Sequence, residues 1–171
     1  KLTKKVSDEG IAIKYIVLTH GHADHISGVN EHLDDFPDAK VVVHTNEKPM
    51  LEDPRENQSL MFGSAQTVKG DIFVNDGDEL EVGNLKLKFI FTPGHTPGGM
   101  CIYVESEDVL FSGDTLFRQS IGRTDFPGGS FRDLADAVHT KLFILPDQTV
   151  VLPGHMGQTS IGFEKENNPF V

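Results

Sequence analysis

Short apolar runs that stop at glycine-containing turns recur along this chain. Residues 13–19 read as a buried strand, and Ile26, Val29, Leu33 and Phe36 then form a helical stripe that stops at Pro37. Residues 40–44 are the next strand. Residues 46–70, broken by Pro49, Pro54 and Gly63, predict short helices and loops that form part of a substrate mouth. From Glu79 the pattern is strongly β: Leu85, Leu87, Phe89 and Phe91 alternate with Lys86, Lys88 and Ile90, after a hairpin turn at Gly83-Asn84. Residues 100–104 and 109–112 pair through the acidic turn 105–108. Ser130 and Asp133 form a capping pattern ahead of Phe131, Leu134, Ala135, Val138 and Leu142, which predicts a helix packed on a sheet. Residues 149–152 read as the last strand. The mixed rhythm, without repeats or an obvious linker, predicts one α/β domain over residues 1–171 with its ligands on loops at one edge.

Four of these runs end in side chains that bind metals. His20-Gly21-His22-Ala23-Asp24-His25 packs four ligand types into one strand-to-helix turn, and Thr92-Pro93-Gly94-His95, Ser112-Gly113-Asp114 and Leu152-Pro153-Gly154-His155 each add one. Alternate residues of an extended backbone point the same way, so His20 and His22 can grip one ion while Asp24 and His25, past the bend, turn toward another. A mixed His and carboxylate shell suits Zn²⁺, Fe or Mn. A shell of three His on one ion, two His and an Asp on the other, and a shared carboxylate leaves positions open to water, the mark of a catalytic metal. The bland alternative makes these unrelated turn histidines and makes Asp24 a helix cap. It needs four strand-then-ligand segments to arise independently. His44 reads as an ordinary polar strand end, His32 as solvated and His139 as surface.

Composition narrows the setting. At 171 residues the chain can bury one sizeable core. It is 37% hydrophobic and 24% charged, with no apolar run long enough to span a bilayer. The formal charge of −11 argues against a nucleic-acid partner, which would want a basic face. Cys101, the lone cysteine, excludes an intrachain disulfide, reads as core, and fits a reducing, cytoplasmic setting.

At the ligand residues the chain resembles the metallo-β-lactamase superfamily, whose HxHxDH motif, later His, bridging Asp and final His match His20, His22, Asp24, His25, His95, Asp114 and His155 in order. Gly94-His95-Thr96-Pro97-Gly98-Gly99, Phe111-Ser112-Gly113-Asp114-Thr115-Leu116-Phe117, Ile121-Gly122-Arg123-Thr124-Asp125-Phe126-Pro127-Gly128-Gly129 and Asn168-Pro169-Phe170 are similar to the short, single-domain glyoxalase II-like (hydroxyacylglutathione hydrolase-like) hydrolases. The resemblance implies a four-layer αββα sandwich. It also implies two divalent ions, zinc first among the candidates: His20, His22 and His95 on one, Asp24, His25 and His155 on the other, Asp114 bridging. The family begins with additional strands, whereas this chain opens on Lys1 and enters the motif's strand almost at once, so an N-terminally incomplete domain is expected.

The implied chemistry is hydrolysis of an acyl thioester, such as S-lactoylglutathione. A hydroxide between two divalent ions is a nucleophile near neutral pH, the same ions stabilise the oxyanion, and a thiolate leaves with little acid help. Asp24 and Asp114 are the expected catalytic carboxylates. Arg123 is a candidate for binding a substrate carboxylate, against the alternative that it pairs with Asp125 to staple its own loop. Asp114 stands where cysteine-ligand β-lactamases have Cys. The runner-up is a persulfide dioxygenase holding one iron through His20, His95 and Asp114. A metal-binding domain without turnover is a third reading.

Overall fold

Alternation sorts each strand's residues onto two faces that pack against different partners. The computed structural model describes residues 2–171. The chain does not enter its first strand almost at once: α1 (Leu2–Asp8) comes before β1 (Tyr15–Val17), which is shorter than the expected strand over residues 13–19. The helical stripe that follows is two helices, α2 (Ala23–Ile26) and α3 (Val29–Asp35), broken at Ser27 and Gly28. Then come β2 (Lys40–His44), α4 (Lys48–Glu52) and β3 (Ile72–Val74). The hairpins follow the alternation: β4 (Glu79–Val82) with β5 (Leu85–Phe91), then β6 (Met100–Val104) with β7 (Val109–Gly113). A small hairpin, β8 (Leu116–Phe117) and β9 (Ser120–Ile121), leads to α5 (Phe131–Ala137), whose cap Ser130 accepts from the Asp133 N–H. That helix continues as a π-helical turn over Val138–Leu142. β10 (Val150–Pro153) is not the last strand, because β11 (Thr159–Ser160) pairs with it before α6 (Ile161–Asn167).

Three parallel strands form one sheet in the order β1-β2-β3. Six form the other, β11-β10-β7-β6-β5-β4, in which β10 runs parallel to β7 and the remaining pairs are antiparallel. The two sheets meet through Val42, Val74, Phe89, Met100 and Ile102. The neighbouring positions Val41 and Val43 face the other way and pack with Ile26 and Val29 of α2 and α3. On the far side, Cys101, Tyr103, Leu110 and Val151 pack against Val138, Leu142 and Ile161. The layers are therefore helix, sheet, sheet, helix. Burying each such Val, Leu or Phe contributes roughly 1.5–3 kcal/mol. Since β5, β7 and β10 run in the same direction, their C-terminal ends share one edge, and the turns after them carry His95, Asp114 and His155. Among the described residues no helix is long and apolar enough to cross a membrane.

Candidate metal centre

Each ligand-type side chain is set by a strand end and a tight turn. β1 leads into His20, and α2 begins immediately after His22, which stands at its N-cap without a side-chain capping bond. Asp24 sits in the first turn of α2, does not cap it, and faces His155 Nε2 at 3.0 Å. The turn before His95 depends on Gly94, whose φ of +128 leaves its backbone against Ser130 and Leu134 at the start of α5.

The seven side chains converge. His20, His22 and His95 form one group, His20, His25 and Asp114 a second, and Asp24, His25 and His155 a third, each with ligand atoms within 4.8 Å of one another. Asp114 lies in the middle, with Oδ1 3.4 Å from His25 Nε2 and Oδ2 3.6 Å from His95 Nε2 and 3.5 Å from His155 Nε2. His22 Nδ1 and His95 Nε2 are 2.9 Å apart. His95 Nδ1 donates to the Arg123 carbonyl at 2.7 Å, which turns Nε2 toward the centre. The His20, His22 and His95 end is buried, while Asp24 and His155 are half exposed.

Electrostatics favour a cation here. Burial, and then the neighbouring imidazoles, hold His20 well below the usual histidine range. Burial and His95 lower His22 to about 4, and burial lowers His95. Neutral imidazole is the form that binds metal. For His25 burial pulls the other way, but the Asp114 carboxylate outweighs it and raises the value; Asp114 is correspondingly lowered despite its own burial. Two buried polar atoms at the middle of the cluster, His20 Nε2 and Asp114 Oδ1, have no hydrogen-bond partner. Such orphans are costly unless something satisfies them, and a divalent ion fits this donor set.

A cleft of about 570 Å³ opens over the exposed half, lined by Met61, Phe62, Phe117, Phe126 and Met156 beside the ligands. Gln58, Met61 and Phe62 thus bring part of the 46–70 region to the mouth, as the sequence pattern suggests. Arg123 also lines it, but its fork is engaged: Nε and Nη2 each donate to Asp125 at 2.7 Å, and the guanidinium lies 3.7 Å from the Phe126 ring centre. His44 stays out of the centre, stacking on Phe91 at 4.2 Å and accepting from the Asn46 N–H. His139 is exposed. His32 is half-buried rather than solvated, with Thr3 Oγ1 3.4 Å from its Nδ1. Sequence reading passed over Glu47, a fully buried carboxylate behind the ligands.

The family model of the Metallo-beta-lactamase superfamily matches residues 3–155. The chain belongs to this superfamily. It is 40% identical over 173 residues to the probable metallo-hydrolase YqgX of Bacillus subtilis, covering 100% of this chain and 82% of that protein. Over 178 residues it is 33% identical to hydroxyacylglutathione hydrolase GloC of Haemophilus influenzae, covering 100% and 82%. Among solved structures, BLEG-1 B3 metallo-beta-lactamase superposes with a TM-score of 0.92 at 40% identity, covering 99% of this chain and 82% of that one. ETHE1 from Myxococcus xanthus gives 0.79 at 32% identity, covering 97% and 66%. TTHA1623 in a di-iron-bound form gives 0.85 at 29% identity, covering 99% and 83%. Membership in this metallo-hydrolase superfamily agrees with the His and Asp clusters, whose donor atoms suit divalent ions.

Proposed function

We propose that the chain is a binuclear metal-dependent hydrolase that cleaves a small acyl thioester. The observation that carries this reading is the position of Asp114, whose two carboxylate oxygens lie within 3.6 Å of imidazole nitrogens from both halves of the cluster. In this reading His20, His22 and His95 hold one ion, Asp24, His25 and His155 hold the other, and Asp114 is shared. Two divalent ions, zinc foremost and iron or manganese next, would supply Lewis acidity toward an acyl carbonyl and make water nucleophilic near neutral pH. The chain's own residues do the rest. Asp24 and Asp114 are the carboxylates placed to accept a proton. Phe117, Phe126 and Met156 give the cleft an apolar wall that receives the apolar part of the substrate. Arg123 can take a substrate carboxylate only by exchanging Asp125 for it. The likeness to GloC supports a thioester, S-lactoylglutathione being the first to test. A reducing, cytoplasmic setting belongs to the same reading, on the single cysteine.

A second reading is oxidation of a persulfide at one iron held by His20, His95 and Asp114. The Gly122-to-Phe126 loop and the 32% identity to ETHE1 favour it. Metal analysis paired with two assays decides between them. Hydrolysis predicts about two ions per chain and oxygen-independent cleavage of the thioester. One iron per chain with oxygen uptake on glutathione persulfide would select the alternative. A β-lactam belongs in the panel because of the likeness to BLEG-1.

A further inference from the structure

We infer that the buried Glu47 carboxylate is a positioning residue that fixes the two loops carrying His20, His22 and His95 in one mutual geometry, a role that rests on the metal-centre reading above. Glu47 lies in the short turn after β2, beside the C-terminal end of β1, and is 0% exposed. Its Oε2 accepts from the Gly21 N–H at 2.8 Å, the residue between His20 and His22. Its Oε1 accepts from the Gly98 N–H at 2.7 Å and from Thr96 Oγ1 at 2.5 Å, on the loop that follows His95. One side chain therefore holds both loops, and both approach it closely. A Cβ on Gly98 would lie 2.5 Å from the Glu47 nitrogen, and one on Gly21 would lie 3.1 Å from Oε2. Glycine at these two positions is what lets the carboxylate reach both loops.

The chemistry requires an acceptor on both sides. Two backbone N–H groups and a hydroxyl converge on it, and a carboxylate accepts from all three. Glutamine keeps the shape but supplies one oxygen and one NH₂, so one loop loses its partner and meets a donor instead. Aspartate lacks the methylene needed to span both. Burial raises the Glu47 carboxyl above its usual range, and the three donors offset part of that rise. A group of this kind is worth keeping where loop geometry sets ligand angles, because partners that orient metal ligands typically contribute 10–100-fold in metal affinity.

The test compares Glu47→Gln with Glu164→Gln. Glu164 is an equally buried carboxylate that accepts from the Gln119 N–H, Thr159 Oγ1 and Asn168 Nδ2, away from the ligands. Each apoprotein is titrated with Co²⁺, recording affinity and the visible absorption bands that report ligand geometry, and the metal-free melting temperature is measured beside them. Glu47→Gln should bind Co²⁺ about 10–100-fold more weakly, with altered bands, while Glu164→Gln lowers the melting temperature but binds as wild type. Thr96→Val, which removes one of the three bonds to Glu47, should show the same change at a few-fold and serves if Glu47→Gln does not fold. Wild-type affinity and spectrum in Glu47→Gln, or in Thr96→Val where only that variant folds, would overturn the inference and leave the metal centre standing. Equal losses of affinity in the two glutamine variants, tracking lost stability, would also overturn it. Failure of the wild-type chain to bind Co²⁺ would remove the metal-centre reading itself.

Discussion

Gly154 stands exposed at the end of β10, one residue before His155, and its φ lies outside the left-handed region, so alanine fits its backbone. Space is what it lacks. A Cβ there would overlap Asp114 Oδ1 and lie 2.7 Å from His25 Cε1, well inside the ~3.5 Å at which carbon atoms pack without repulsion. The carboxylate would have to move by about 1 Å, whereas metal–ligand distances tolerate only about 0.2 Å. Gly154→Ala should therefore weaken metal binding by roughly 10- to 100-fold, equivalent to about 1.4–2.7 kcal/mol. The methyl group faces the centre rather than the core, so the metal-free protein should lose no more than about 1–3 kcal/mol of stability. Gly157→Ala is the matched control: it is on the same loop, also exposed, and has nothing within 4 Å of the added Cβ. Zinc titration of both apoproteins against a chromophoric chelator reads the difference. Wild-type affinity in Gly154→Ala would refute the placement of Asp114 Oδ1 as a ligand atom. Equal weakening in both variants would trace the effect to the loop rather than to Asp114.

Asp114→Ala should lower metal content from about two ions per chain and abolish turnover, whereas His32→Ala, a half-buried residue on α3, should keep its metal and lose under about 1 kcal/mol in chemical unfolding. An active, fully loaded Asp114→Ala protein would remove the shared carboxylate from the scheme. Burial pushes the Cys101 thiol up to about 11. It should stay protonated at pH 8 and react with a thiol reagent only after denaturant is added; rapid labelling of the folded protein would contradict its burial. Leu110→Ala, at a fully buried position in the core beside Val151, should cost about 2–5 kcal/mol, read as a lower urea midpoint.

The parts of this fold that local sequence could specify are those where one run carries both its period and its stop signal. The β4–β5 and β6–β7 hairpins each set two strand-like runs around a local turn, at Gly83-Asn84 and at residues 105–108, and both pairs form. The stripe Ile26-Val29-Leu33-Phe36 has the right period but hides a break, because Ser27 and Gly28 leave the apolar spacing unchanged while ending one helix and starting another. β8, β9 and β11 are two residues each, too short for periodicity to register. α1 lies ahead of every ligand signal, and α6 after the last, so nothing in the metal pattern directed attention to either.

The centre divides along the same physical line. Ligands are legible because metal binding demands particular side-chain types, and a strand followed by a glycine turn displays them together. What holds the ligands is not legible in that way. Glu47 reaches Gly21 and Gly98 across 26 and 51 residues of sequence, and in its own neighbourhood, Thr45-Asn46-Glu47-Lys48, it looks like one more solvated acid. Only the parallel pairing of β1 with β2, which brings the ends of both strands to one edge, turns that acid into a buried clamp. The cleft is legible only in part: Phe62 comes from the 46–70 region that the sequence pattern assigns to the mouth, whereas Phe126 and Met156 join it from two separate loops, Met156 with a φ of 67. In the proposed reading, reaction type follows from residues whose types the sequence displays, while substrate choice follows from residues gathered at the assembled edge. Variants at Phe62 or Met156 should accordingly change which acyl group is accepted, at constant metal content, and those at Asp114 should change whether any is.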